Sequence, residues 1–447
     1  MILNMKKVQL SQYIEKIFET KGDFCEWFGY YNYDTLNYDH TKMLCNRASF
    51  DGVKIEHGMR IELGYYNLLS GTWTKIGESD SFNWQQGAMM QWLPGKGNEG
   101  KVVYNCSENG RLVSKLYDID SCETRIINWP IYGITPDGKY SISLNLERSY
   151  WCRAYHYESV ANKQYNVDVA EDDGIFKIDL QNNTIKRIIA IQDIIALEPE
   201  NNFEHLKHWL EHVMINQDGT RFVFLHRYSP PSDPYQYQTR ICLAKIDGSE
   251  LQVISDKSKF DWSHFGWQGD NFAIYTVLNN KLGSSYRELG KEGTNNSPIR
   301  KMVFKVALSV KKLIPASLRK KLKGGQSYYQ YYTINNNGDY CLCENWDNVF
   351  FDIDGHPSFT RDGRYMITDS YPDRNRMQRL IVFDTVTHKG IVIAQLYAGL
   401  QGNPASCDLH PKLSADDSHV VVDTAYTGMH RMIVFKINWP LIKSNIS

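Results

Sequence analysis

The sequence lacks the short motifs by which many enzyme classes are recognised. Its 447 residues contain no Gly-rich phosphate-binding loop, no GxSxG nucleophile elbow and no HExxH zinc motif. The carboxylates are too scattered along the chain to nominate a glycosidase pair. These absences argue against P-loop nucleotide enzymes, α/β-hydrolases, HExxH metalloproteases and ordinary glycosidases.

The chain also lacks net charge, a membrane-spanning run and paired cysteine motifs. Its formal charge is −1, which gives no argument for binding nucleic acid. Residues 1–24 lack the apolar core of a signal peptide, and no apolar run is long enough to span a bilayer. The nine cysteines show no CxxC spacing, as expected for reduced thiols. We therefore expect a cytoplasmic, monomeric protein that does not bind nucleic acid.

What the chain does contain is a repeated β unit. Residues 355–373 are predicted to form a short strand, a turn at Asp362-Gly363 and an alternating strand, Tyr365–Tyr371. The same pattern recurs over residues 408–426, with Asp416 in the turn, and weaker copies surround Asp218 and Asp270. The 29 Tyr, 18 Phe and 11 Trp, with few long amphipathic helical patterns, favour an all-β fold.

Seven such units can be placed along the chain, beginning near residues 28, 82, 130, 209, 260, 352 and 406. Four-stranded units at intervals of roughly 45–60 residues are typical of a β-propeller. We predict an all-β, seven-bladed β-propeller over residues 28–440. Residues 1–27 precede it and are predicted to contain a short amphipathic helix over residues 8–20.

A basic insertion, residues 283–326, interrupts the fifth unit. From Arg300 to Lys323 it carries nine Lys/Arg and no acidic residue, beside an apolar stripe that includes Val303, Phe304 and Leu308. One interpretation is a helix lying on an anionic membrane surface through residues 300–323, which would make the protein membrane-peripheral. The alternatives are a helix docked on the propeller or a disordered basic loop.

Four histidines share one register of the repeat, six residues before the turn Asp: His212, His264, His356 and His410. The strand before this turn normally lines the central channel of a propeller, so the four should converge at one channel mouth. Converging neutral imidazoles are typical of a transition-metal centre whose rings are oriented by nearby carboxylates. The alternative is that each His caps its own blade. Asp354, Asp408 and Gln401 are candidates for the groups that orient these rings, or for a further metal ligand. Asp369 and Asp423, equivalent to each other, are predicted to brace turns.

Other polar residues are predicted at the same mouth: Gln85, Gln86, Arg148, Arg153, His156, His226, Arg227 and Tyr371. Guanidinium groups pair bidentately with carboxylates, and aromatic rings stack on sugar faces. The sequence therefore predicts an acidic saccharide as ligand.

Several segments resemble the seven-bladed propellers related to oligogalacturonate lyases and propeller-type ulvan lyases. They include TPDGKYSISLNLER, DGTRFVFLHRY, WSHFGW, GHPSFTRDGRYMITDSYPD and DLHPKLSADDSHVVVDTAYTG. The resemblance covers about residues 28–437. It implies β-elimination on uronate-containing glycans with a divalent metal, manganese being the candidate, and a His/Arg or His/Tyr pair that handles the C5 proton.

Carried onto this sequence, the resemblance gives metal positions to His264, His356 and His410. Gln401 is a loose stand-in for the Gln ligand, and Asp408 stands where a His is expected. The proton-transfer and carboxylate-neutralising roles fall to His212 and Arg227, with His226 as a second candidate base.

A rival function comes from the basic insertion. Its sequence KKLIPASLRKKL resembles the juxtamembrane tails of bacterial surface-polysaccharide synthesis proteins. The alternative is a non-catalytic, glycan-binding or scaffold propeller in a membrane-associated polysaccharide biosynthesis system.

Overall fold

The protein is a seven-bladed β-propeller, as the repeats predict. The computed structural model describes residues 7–149, 167–199, 203–232, 237–254, 260–278, 327–347, 349–400, 402 and 406–447. Within these residues, seven antiparallel sheets follow one another along the chain, one for each predicted unit.

Two strands precede the first blade: β1 (Val8–Leu10) and β2 (Ile14–Glu19). Blade one contains β3 (Cys25–Trp27), β4 (Lys42–Ala48), β5 (Ile61–Asn67) and β6 (Trp73–Ser79). Blade two contains β7 (Gln91–Trp92), β8 (Lys101–Glu108), β9 (Arg111–Asp118) and β10 (Thr124–Ile127). Blade three contains β11 (Gly133–Ile134), β12 (Tyr140–Leu144), β13 (Gly174–Asp179) and β14 (Thr184–Ala190).

Blade four contains β15 (Lys207–Ile215), β16 (Arg221–Ser229), β17 (Gln238–Lys245) and β18 (Gln252–Ile254). Blade five contains β19 (Phe260–Gln268), β20 (Asn271–Leu278), β21 (Ser327–Ile334) and β22 (Tyr340–Trp346). Blade six contains β23 (Ser358–Phe359), β24 (Tyr365–Asp369), β25 (Met377–Asp384) and β26 (Gly390–Tyr397). Blade seven contains β27 (Lys412–Leu413), β28 (His419–Thr424) and β29 (Arg431–Ile437). The helices in the described residues are α1 (Leu146–Ser149), α2 (Ile191–Ala196) and α3 (Trp439–Ile446), and short 3₁₀ turns cover Phe203–His205 and Val349–Phe351.

The ring is closed by the N-terminal strands. Strand β2 is the outermost strand of blade seven, where Ile14 pairs with Ile437, and β1 adds a fifth strand to blade six. The predicted helix over residues 8–20 is therefore wrong. Its helical apolar spacing is real, but pairing with the exposed edges of β26 and β29 satisfies the backbone of both partners, and such tertiary pairing overrides a short local pattern.

The repeated turn has a simple physical basis. In blade six the Asp362 carboxylate accepts the Thr360 hydroxyl and the Arg364 N–H, which fixes the chain reversal. Gly363 follows with φ +70°, a left-handed conformation that favours glycine. The first strand of each unit lies at the inner edge of its sheet, and β23 contacts both β19 and β27 of the neighbouring blades. These inner strands carry the histidine register.

No helix in the described ranges is both long and apolar enough to cross a bilayer. The basic segment 300–323 and the rest of the insertion 283–326 lie outside the described residues. The membrane-surface helix, the docked helix and the basic loop remain predictions.

Candidate functional site

The structure brings the four histidines of the shared register together. Ring centroids lie 4.0 Å apart for His264 and His356 and 4.2 Å apart for His356 and His410. His212 is farther out, with its ring 6.5 Å from that of His264. One residue from each of blades four to seven therefore contributes to a single cluster.

The cluster has a deep half and a shallow half. His356 is 0% exposed and His410 3%, whereas the side chains of His212 and His264 keep 17% and 14% of their surface exposed. The deep pair is shielded from water, and the shallow pair is accessible from the mouth. This gradient separates His356 and His410, which are suited to hold an ion, from His212, which is suited to meet a substrate, with His264 between them.

Irregular backbone aims the shallow and deep rings inward. The β15–β16 register shifts between Glu211 and Met214, and the β19–β20 register shifts between Trp262 and Phe265. Each irregularity contains the histidine of its blade, and a bulge redirects the side chain that it carries. His212 and His410 also have positive φ values of 56° and 43°. Such conformations are uncommon for residues other than glycine and cluster at functional sites.

Asp369 fixes the orientation of the deep pair. Its Oδ1 accepts the backbone N–H of His356 at 2.7 Å and lies 2.9 Å from Nδ1 of the same residue, while Oδ2 accepts the N–H of His410 at 3.1 Å. Burial alone would raise the pKa of Asp369, but His356 and these N–H groups lower it. Burial likewise opposes charge on His356, yet the neighbouring Asp369 carboxylate raises its pKa. Since Nδ1 is held by Asp369, Nε2 is the nitrogen left for other partners.

The Nε2 atoms of His356 and His410 are buried and have no hydrogen-bond partner among the described residues. Together with a carboxylate oxygen of Asp408, the two histidines offer donor atoms that all lie within 4.8 Å of one another. Burial lowers the pKa of His410, which keeps its imidazole in the neutral form that binds metals. Buried polar atoms rarely lack partners, so this donor set fits a divalent metal ion.

Asp408 and His264 complete the surroundings of these donors. Asp408 accepts from Gln85 Nε2 at 3.1 Å, and burial raises its pKa to about 6. His264 Nδ1 lies 3.3 Å from Asp354 Oδ1, so a carboxylate orients this ring as well. Burial lowers the pKa of His264, which leaves it neutral. Its ring is adjacent to the donor set, which makes it a further candidate ligand.

A segment of blade one contributes two residues that the sequence analysis missed. Between β3 and β4 the chain projects across the mouth, where Tyr30 Oη lies 2.8 Å from His212 Nδ1 and Tyr31 donates to the carbonyl of Phe265 at 2.7 Å. Gly29 permits this path, because its φ is 120° and a Cβ would lie 2.5 Å from the carbonyl carbon of Gln86. The available signal was the length of this connection, 14 residues from Phe28 to Thr41 against five between the first two strands of blades three, four, six and seven.

Asp423 performs in blade seven the bracing that Asp369 performs in blade six. It accepts the N–H groups of Phe28 and Gly29, each at 3.0 Å, and lies 3.1 Å from Lys412 Nζ. Each carboxylate thus holds the start of the next blade. The contacts of Asp423 are structural, whereas Asp369 also touches a histidine of the cluster.

Arg227 is connected to the cluster indirectly, through the carboxylate of Glu211. Its Nη1 donates to Glu211 Oε2 at 2.5 Å, and the same oxygen lies 3.5 Å from His212 Nε2. The guanidinium also packs over the Tyr237 ring at 4.6 Å. Glu211, His212 and Tyr30 therefore form a connected polar chain that ends at the mouth, with Arg227 behind it.

Two residues predicted at the mouth are buried elsewhere in the fold. His226 Nδ1 accepts from Arg240 Nε at 3.1 Å, and its Nε2 lies 2.9 Å from His208 Nδ1. The ring is 0% exposed and both of its nitrogens have partners inside the blade, so this geometry does not suit the predicted general base. Arg148 is 1% exposed and donates to the carbonyls of Asp168 and His208, so its guanidinium is not available to a saccharide at the mouth, contrary to the prediction from the sequence.

The remaining predicted positions divide into three groups. Gln85 contacts Asp408, and the Tyr371 ring lies 5.6 Å from His356 and 6.0 Å from His264, so both border the cluster. Gln86 is 4% exposed and donates to the Tyr132 hydroxyl at 2.8 Å, a core contact. Arg153, His156 and Gln401 lie outside the described residues.

Solved structures with the same architecture include two oligogalacturonate lyases. One, in complex with manganese, superposes with a TM-score of 0.59 at 14% identity and covers 97% of this chain and 96% of its own. The other, from Vibrio parahaemolyticus, gives a TM-score of 0.57 at 13% identity, with 96% of each chain covered. No protein-family model matches the chain, and no curated protein is significantly similar in sequence. At these identities the likeness shows the shared seven-bladed fold.

Proposed function

We propose that the protein is a metal-assisted lyase that cleaves uronate-containing oligo- or polysaccharides by β-elimination at the channel mouth. One observation carries the proposal. Two buried imidazole nitrogens, of His356 and His410, lack protein partners within the described residues and lie beside the Asp408 carboxylate. A structural capping role would leave these nitrogens bonded to backbone carbonyls, and they are not.

The deep half of the cluster is the proposed metal site. His356, His410 and Asp408 would hold a divalent ion, with His264 as an adjacent candidate, and manganese is the metal that we propose. When bound, such an ion acts as a Lewis acid on the uronate carboxylate and so acidifies the C5 proton. Asp369 and Asp354 orient the rings, as second-layer carboxylates commonly do.

The shallow half is the proposed proton-transfer site. In β-elimination the C5–H bond breaks, its electron pair forms the C4–C5 double bond, and the C4–O bond breaks with its pair on the leaving oxygen. Glu211, His212 and Tyr30 form a chain in which Tyr30 Oη and His212 Nδ1 are 2.8 Å apart. A proton taken from C5 at Tyr30 or His212 would be shared along this chain and stabilised by Glu211, and the leaving oxygen would take up a proton from solvent water, to which the chain would later return its own.

A non-catalytic glycan-binding propeller is the second candidate, and one observation favours it. Arg227, proposed to neutralise the uronate carboxylate, already has a carboxylate partner in Glu211 at 2.5 Å. A lyase would require this guanidinium to exchange or share that partner when the substrate binds. A non-catalytic binding protein would not require Arg227 to change its partner.

The deciding experiment combines metal analysis with a substrate screen. The purified chain should contain a divalent metal, and it should produce ultraviolet-absorbing unsaturated uronates from one or more members of a panel of uronate oligosaccharides. Metal binding with saccharide affinity but no unsaturated product would establish the binding function. A chain that binds neither metal nor saccharide would refute both.

A further inference from the structure

We propose a second transition-metal site, at the other end of blade seven, formed by His40, Asp416 and His419. One donor atom from each of these residues lies within 4.8 Å of the other two. Two imidazoles and one carboxylate are a common donor set for first-row dications such as Zn²⁺. His410 precedes β27 and Asp416 follows it six residues later, so at most roughly 20 Å of extended chain separates the two sites.

The turn of blade one delivers His40 to this position. Asp39 accepts the N–H and the hydroxyl of Thr41, which makes it the equivalent of the turn Asp in blade six. His40 then stands where blade six has Gly363, with φ 55° against 70°. A left-handed conformation favours glycine, so a histidine here is conformationally costly, and the turn uses its backbone N–H, which donates to the Asn37 carbonyl at 3.0 Å, and not its side chain.

The His40 side chain points across the junction between blade one and blade seven. Its Nε2 is shielded from solvent, makes no hydrogen bond to any described residue and lies 3.4 Å from Asp416 Oδ1. The rings of His40 and His419 meet edge to face, with centroids 4.9 Å apart. Two histidines from different blades therefore approach one carboxylate.

Hydrogen bonds select the tautomer of His419 that a metal requires. The Ser418 hydroxyl donates to Asp416 Oδ1 at 2.6 Å, so only its oxygen lone pairs remain for the His419 Nδ1 that lies 2.7 Å away. Nδ1 must then carry the proton, which leaves the Nε2 lone pair free to bind a metal. Asp416 is half exposed, at 53%, so water can reach the site and supply further ligands.

The position gives this site a structural consequence. Blade one and blade seven are the first and last blades, and the chain passes directly between them at the step from β2 to β3. A metal held by His40 from one blade and by Asp416 and His419 from the other would clasp the ring at its closure. Because imidazole ligands favour transition metals, Mg²⁺ and Ca²⁺ should not compete.

The test uses Zn²⁺ and the full chain with the deep histidine site removed, as the double variant His356→Ala/His410→Ala. By isothermal titration this protein should still bind one equivalent of Zn²⁺, and excess Mg²⁺ should not displace it. Adding His40→Ala or His419→Gln should abolish that equivalent, whereas adding His205→Ala, a control at an exposed histidine beside Glu204, should not. Zn²⁺ should raise the thermal midpoint of the double variant and leave that of the triple variant His40→Ala/His356→Ala/His410→Ala unchanged.

Retention of the Zn²⁺ equivalent without His40 or His419, or its loss with His205→Ala, would overturn the proposal. The single variant His40→Ala in the otherwise intact chain reports on the deep site alone. If the metal site of the lyase proposal does not exist, the His40→Ala protein will bind no Zn²⁺ at His356 and His410. This outcome is measured separately from Zn²⁺ binding at His40, Asp416 and His419.

Discussion

Two pairs of buried histidines in this ring are built in opposite ways. In blade four, His208 and His226 stack with centroids 5.1 Å apart, and each ring nitrogen has a partner. At the junction of blades six and seven, His356 and His410 each leave Nε2 without one among the described residues. The difference shows that burial alone does not identify a site. A site is indicated instead by buried ring nitrogens that lack hydrogen-bond partners.

The electrostatics of the two pairs follow from these partners. In the blade-four pair, Arg240 donates to His226 Nδ1, and His208 Nε2 lies 2.9 Å from the Phe203 carbonyl. Each ring therefore accepts a hydrogen bond at Nδ1 and donates one at Nε2, as a neutral imidazole does. Burial lowers the pKa of His208 to about 4 and that of His226 as well. In the deep pair, by contrast, the Asp369 carboxylate outweighs burial and raises the pKa of His356.

The largest expected difference between the pairs is in metal content. His356→Ala and His410→Ala should each abolish the Mn²⁺ equivalent held by the deep pair while the propeller stays folded, because each removes one of the unsatisfied nitrogens. His208→Ala should retain the bound Mn²⁺ and lower the stability instead. Elemental analysis and circular dichroism of the three variants provide the comparison. Equal metal content in all of them would reduce the deep pair to structural residues.

The next largest effect concerns turnover of a uronate substrate. His212→Gln or Tyr30→Phe should lower kcat about 100- to 10,000-fold, the usual contribution of general acid–base catalysis. His226→Gln should affect stability much more than kcat, because both of its ring nitrogens are engaged inside the blade. Steady-state rates measured from the unsaturated product decide this. A larger loss from His226→Gln than from His212→Gln would reverse the assignment.

A pH dependence of stability is expected from the blade-four pair. Between pH 6.5 and about 4 the unfolded chain binds a proton on the His208 imidazole that the folded chain does not, so the unfolding free energy decreases as the pH falls, and the lowered pKa of His226 acts in the same direction. For His208 the full effect is about 3 kcal/mol. Urea unfolding across this range should show a smaller pH slope for His208→Phe than for the parent. Identical slopes would show that His208 is not neutral in the folded state.

The smallest expected effect distinguishes two equivalent carboxylates. Asp369→Asn should weaken Mn²⁺ binding about 10- to 100-fold, because the oriented ring of His356 loses its charged partner. Asp423→Asn, at the matching position of blade seven, should leave the Mn²⁺ affinity unchanged, since its partners are Phe28, Gly29 and Lys412. Titration calorimetry of both variants makes the comparison. A similar loss of affinity in the two would mean that these carboxylates act only by bracing blades.

The fold and the histidine register could be predicted from the sequence because both repeat along the chain. A six-residue offset from the turn Asp places one side chain at the same height in several blades, which is a property of strand geometry. The same geometry explains one error. His226 and Arg227 are consecutive on β16 and so point to opposite faces, which means that they could not both face the mouth.

Features that do not repeat could not be predicted. Tyr30 and Tyr31 reach the histidines through a connection present in blade one, and no periodic pattern indicates where such a segment goes. The N-terminal strands were missed for a related reason. Their partners, β26 and β29, lie at the far end of the chain, and local spacing contains no information about such pairing.

Ring closure by β2 also determines which strand pairing must form late while the protein is being synthesised. Ile14 emerges from the ribosome early, but its partner Ile437 is made near the end of the chain. At about 5–20 residues per second, roughly 20 to 80 seconds separate the two events. During that interval six blades can form while blade seven and the seam remain open, with an unpaired strand edge exposed to neighbouring chains. The last pairing to form has a very large sequence separation, so it is expected to be a slow step of folding and the one at which aggregation competes.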